Sequence, residues 1–189
     1  MKELQKWFEK GMDSIQYIHE MNVNKEELLG IYNQLQIEDE ETAFLQALQQ
    51  LRLKALVITA DWCGDALVNL PIFMRMANEA LIETRYFIRD EHLELMDQYL
   101  TNGTARSIPI IVLLDHEFNQ ITTWGPRADR VQELVDHQKQ QLPEQSDQSY
   151  DDAFQRFVKE MKALYATDPN IWKLIKKDML RTLEQTSVN

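Results

Sequence analysis

The feature that most constrains this chain is a change of hydrophobic period around its only cysteine, Cys63. Ala55 to Thr59 is a short, apolar and partly β-branched run, the pattern of a strand buried on both faces. After Gly64 the apolar residues take helical spacing, with Leu67, Leu70, Phe73, Met74 and Ala77 on one face. A strand running into a helix at this point places Cys63 near the helix N-terminus. There, unpaired backbone N–H groups and the helix dipole favour the thiolate over the thiol. Lys54 to Ala80 is therefore the stretch around which the rest is organised.

Elements on either side frame that junction. Residues 1–51 read as helices throughout, broken near Gly11, with Asn24 and Glu27 spaced as a capping box and the acidic run Glu38–Glu41 suited to a solvated helix start. Beyond the central helix, Arg85–Arg89 reads as a second strand and Glu91–Leu100 as a short helix ended by Asn102-Gly103. Ile110–Leu114 and Gln120–Trp124 form a predicted hairpin across the turn Asp115–Asn119, Gly125-Pro126 ends it, and residues 128–141 form a helix. Leu142–Tyr150 is polar and aperiodic, a linker or surface loop. Two tail helices follow, the second opened by Asp168 at N-cap and Pro169 at the first helical position. The exposed side of the sheet is the surface they are expected to cover.

Bulk properties exclude several functions. With 31 acidic residues against 20 basic ones the net charge is −11, which argues against a phosphate-tracking surface, so no nucleic-acid partner is expected. No apolar run approaches the roughly 20 residues of a membrane helix, and the start MKELQKWFEK lacks a signal-peptide core. The expectation is a cytoplasmic protein with no membrane partner. A single cysteine allows no internal disulfide, and His19, His92, His116 and His137 are too scattered for a zinc site, so neither metal nor cofactor is expected.

The order strand, helix, strand, helix, hairpin, helix over Leu53–Gln141, with Asp61-Trp62-Cys63-Gly64-Asp65 at the first junction, Ser107-Ile108-Pro109-Ile110 before the third strand and Gly125 after the last, resembles the thioredoxin family. The resemblance implies a thioredoxin-like α/β sandwich with a central four-stranded mixed sheet. It divides the chain into an N-terminal helical extension (1–51), a thioredoxin-like core (52–142) and a C-terminal helical extension packed on the core (143–189). It also implies a cis Pro109 facing Cys63, with the backbone of Ile108 pairing with a substrate segment. The site so implied has Cys63 as the catalytic thiol and Trp62, Ile108, Pro109 and Gly125 as substrate-binding residues.

One departure changes the chemistry. The family's dithiol is Cys-x-x-Cys, and here the second position is Ala66, so no resolving thiol releases a mixed disulfide. The buried acid that handles the second thiol's proton in the family aligns with Val57. Other single-thiol patterns fit no better: a phosphatase loop needs Arg at Asn69, a peroxiredoxin Thr at Ala60, and a monothiol glutaredoxin Ser at Ala66. Two functions stay open. One is monothiol thiol-disulfide exchange through Cys63 with protein or low-molecular-weight thiols, an oxidoreductase lacking its second cysteine. The other is a redox-inactive binding module holding a peptide or protein partner. Asp61 and Asp65 disfavour a Cys63 thiolate while the helix dipole favours it.

Overall fold

The computed structural model describes residues 2–187. At its centre lies β1 (Lys54–Thr59), whose last five residues are all buried, as the unbroken apolar run requires. It pairs in parallel with β2 (Glu83–Ile88) and antiparallel with β3 (Ile110–Leu114), which forms a hairpin with β4 (Gln120–Trp124). The order β2-β1-β3-β4 is the mixed four-stranded sheet expected. The second strand begins two residues earlier than its apolar segment because Glu83 and Thr84 pair with Lys54 and Ala55. It also ends earlier, since Arg89 turns into a 3-10 helix over Arg89–Glu91.

The N-terminal helices are α1 (Glu3–Phe8), α2 (Ser14–Glu20), α3 (Lys25–Gln34) and α4 (Asp39–Leu48). The helix that carries the site is α5 (Gly64–Glu79). It runs on through Pro71, whose missing N–H and ring clash are tolerated within a largely buried helix. α1 covers one face of the sheet, with Trp7 edge-on to Phe87. On the other face Tyr17 of α2 stacks on Tyr86, and α3 and α4 pack against α5.

Later elements correct several expectations. The helix expected over 91–100 shrinks to α6 (Leu93–Met96), after which the chain turns and makes a lone bridge between Thr101 and Ala105. α7 (Asp129–Lys139), α8 (Tyr150–Thr167) and α9 (Pro169–Glu184) complete the fold. Asp168 caps α9 as expected, accepting from Asn170 N at 2.8 Å. Of the two tail helices, α9 packs on the sheet at β4, whereas α8 lies across α5 and α3.

Two polar expectations also change. Asn24 precedes α3 with φ of 60° and caps nothing, and its amide donates instead to the Asp61 carbonyl at 2.7 Å. In the acidic run, Glu41 does more than start a solvated helix. It completes a capping box with Glu38 and pairs with Lys176 of α9, whose ammonium also donates to the Gln36 carbonyl at 2.9 Å. The two extensions are thus tied to each other as well as to the sheet. No helix among the described residues is long and apolar enough to cross a membrane.

Candidate functional site

Cys63 is the N-cap residue of α5, with an extended backbone (φ −77°, ψ 123°). The sharp exit from β1 brings its N–H to the Ala60 carbonyl at 3.2 Å, while its own carbonyl accepts from Leu67 N at 3.0 Å. The residue is only 8% exposed, and its thiol donates to the Ile108 carbonyl at 3.4 Å. Ala66, where the family's second thiol would stand, is buried one turn further on.

The opposing effects on the thiol can now be ranked. Burial, reinforced by the Asp65 carboxylate, pushes the Cys63 thiol up to about 11. The backbone N–H groups of Ala66 and Asp65 and the Arg127 guanidinium pull the other way and lose. A helix N-terminus stabilises a thiolate only as far as the thiolate is allowed to form, and a dry, carboxylate-flanked position withholds that.

Four of the five expected site residues form one stack. The Ile108–Pro109 peptide is cis and both residues are buried beneath Cys63. Gly125, at φ 121°, lies so close over Pro109 that a Cβ there would come within 2.2 Å of the Pro109 carbonyl oxygen, so only glycine fits. The Gly125–Pro126 peptide is also cis, and Asn69 of α5 holds that loop by donating to the Pro126 carbonyl at 3.0 Å. Trp62 stands apart, 50% exposed, with the Arg89 guanidinium 4.7 Å above its ring. Arg89 also donates to the Arg106 carbonyl at 3.3 Å and so bridges the two loops that flank the thiol.

Sequence reasoning missed a second polar group at the site. Asp65 accepts a two-pronged pair from Arg127, at 2.6 Å from Nε and 2.5 Å from Nη2, and a third bond from the Tyr165 hydroxyl at 3.2 Å. Burial and the Asp65 carboxylate hold the Tyr165 phenol well above its ordinary pKa. Asp61, the other flanking acid, is spent on backbone: it accepts from Asn22 N at 2.8 Å and Val23 N at 3.2 Å. Separations of 62 and 100 residues left no local signal for the Asp65–Arg127–Tyr165 cluster.

Over this cluster opens a cavity of about 460 Å³, bounded by Trp62, Arg127, Val135 and the α8 residues Phe154, Phe157 and Met161. It opens next to the cysteine loop, and α8 supplies much of its wall. Among the described residues no cluster of His, Cys, Asp and Glu could hold a metal ion.

Comparison with solved structures gives the same architecture. A protein of unknown function from Pseudomonas aeruginosa superposes with a TM-score of 0.71 at 18% identity, over 98% of this chain and 99% of that one. An HIV epitope scaffold superposes with a TM-score of 0.68, also at 18% identity, over 95% and 96%. At these identities the likeness is one of fold, and it extends over the helical extensions. No curated protein matches the sequence significantly. The thioredoxin family's sequence profile, however, matches residues 11–144, which take in the Trp-Cys-Gly junction, the Ile-Pro before β3 and Gly125, and with them this chain belongs to the thioredoxin family.

Proposed function

We propose that this protein is a thioredoxin-fold binding module in which Cys63 is a core group and not a redox catalyst. The observation that carries the reading is the state of the thiol: buried, hydrogen-bonded to Ile108 and pushed up to about 11. Such a thiol is ionised in about one molecule in ten thousand at pH 7. A protein that attacks disulfides needs the thiolate and, to release the product, a second thiol; this chain has Ala66 in that place.

The same geometry moves the seat of the ligand. An extended segment pairing along Ile108 would have to share its carbonyl with the Cys63 thiol and pass an entrance bridged by Arg89. Open space lies on the other side of Trp62, in the cavity under α8. A partner is therefore held beside the cysteine loop.

The test is the rate of iodoacetamide alkylation of Cys63 against pH, with insulin reduction as a companion assay. Alkylation should be slow at pH 7 and rise with a midpoint near 11, and insulin should not be turned over. A midpoint below that of a free thiol, about 8.5, would overturn the reading. Stability offers an independent check. The folded-state pKa is raised from 9.0 to about 11, so the buried thiol's contribution is intact below pH 9 and is lost as pH rises toward 11. Cys63→Ser should lack that increment of alkaline destabilisation in urea titrations.

A further inference from the structure

Resting on the reading of this face as a binding module, we propose that the cavity under α8 takes a small amphipathic anion, an apolar body of medium chain length carrying one carboxylate. Its walls suit the body. Phe154, Phe157 and Met161 of α8 face Trp62 and Val135 across the space, and both phenylalanines remain partly uncovered. A volume of about 460 Å³ lies within the usual range for small-ligand sites, about 300–1,000 Å³.

The charge around the cavity selects the head group. Its lining holds one acid, Asp65, against three cations, Arg127, Lys139 and Lys162. Asp65 is already matched by the Arg127 fork and the Tyr165 hydroxyl, so it presents no free charge to a ligand. Lys139 has no ion-pair partner among the described residues, and Lys162 has only Glu27 at 3.6 Å, in a pair whose side chains are both more than two-fifths exposed. Such exposed pairs are weak and exchange readily. Two available ammonium groups beside an apolar cavity, on a chain of net charge −11, form a local exception to the prevailing field. A neutral apolar ligand would leave them unused and a cation would be repelled. A carboxylate at the mouth, with its body against the phenylalanines, satisfies both features.

The experiment is calorimetric titration of the intact protein with monomeric decanoate, with tryptophan emission followed in parallel and decyltrimethylammonium as the cationic match. Decanoate should bind at least about tenfold more tightly than the cation, since like charges are disfavoured where opposite ones are attracted. Lys139→Glu with Lys162→Glu, with the unliganded stability of the variant checked by urea unfolding, should weaken decanoate by about tenfold or more and narrow or reverse that preference. Phe157→Ala should weaken decanoate while leaving the preference for the anion intact. Equal affinity for the two probes, indifference to the double charge reversal, or binding to phosphatidylglycerol vesicles without binding of monomeric decanoate would each overturn the proposal. Cys63 alkylation on the same sample separates the two ideas. A reactive thiol with decanoate still bound breaks the silent-thiol reading alone, and a silent thiol with no decanoate binding breaks this one alone.

Discussion

α8 and α9 are neighbours in sequence, of 18 and 16 residues, joined through Asp168, and both amphipathic, yet the fold treats them differently. α9 buries Ile171, Trp172, Ile175, Lys176, Met179 and Leu183; α8 buries only Met161 and Tyr165, both in its second half. The cause is what lies opposite. α9 packs on α5, α7 and β4, so most of its apolar face meets core and only Leu174 among its large apolar residues is exposed. α8 crosses α5 at the cysteine loop, and its first half spans the cavity, so Phe154 and Phe157 line space where α9's residues meet protein. An amphipathic helix signals a surface to be covered; it does not say whether the fold or a ligand covers it.

The contrast can be broken first at Trp172. It is buried in the core and its indole N–H donates to the Tyr165 carbonyl at 2.7 Å, which also makes α9 the anchor for the end of α8. Trp172→Ala should cost about 3–5 kcal/mol in urea unfolding, the range for truncating a large core aromatic. A loss below about 1 kcal/mol would mean that α9 is no better seated than α8.

A smaller loss is expected at Lys176, which is 4% exposed and serves both Glu41 and the Gln36 carbonyl. Lys176→Ala would leave a largely shielded carboxylate and a carbonyl without their donor, at about 2–3 kcal/mol, somewhat under the value for a fully buried pair because Glu41 retains some solvent. The double variant Lys176→Met with Glu41→Gln should recover part of that loss, since a neutral amide leaves no unpaired charge and still accepts from the Glu38 N–H. No recovery would show that shape, and not charge pairing, holds the extensions together.

Phe154→Ala should have the smallest effect, under about 1 kcal/mol, because the ring is only partly covered. Amide hydrogen exchange sharpens the comparison: the first two turns of α8 should exchange faster than the middle of α9, and decanoate should slow the former selectively. Equal protection of the two segments would remove the distinction between a seated helix and a covering one.

Local pattern made the scaffold legible. The apolar run Ala55–Thr59, the helical spacing after Gly64, the hairpin about Asp115–Asn119 and the Asp168-Pro169 helix start all appear where the periodicity and turn chemistry place them. Asn24 and the segment 91–100 did not follow their local signals. Asn24 found a better acceptor in the Asp61 carbonyl, and the helix after Arg89 was cut short as the chain turned toward β3. Cys63, Ile108, Pro109 and Gly125 were legible as a constellation because each answers a backbone need that shows in residue type: a helix start, a prolyl bond, a close approach.

What the sequence by itself determined is therefore the family, the order of the sheet and the loss of the second thiol, since Ala66 is plain to read. The state of the remaining thiol was decided only by the tertiary structure. A pKa depends on how much water is removed and which charges stand near; the Asp65 charge is local, but the burial of the sulfur and the opposing Arg127 charge come from distant segments, with Ile108 45 residues away at the sulfur and Arg127 on Asp65. The cavity likewise exists in no single segment, because it is the gap left where α8 crosses the cysteine loop.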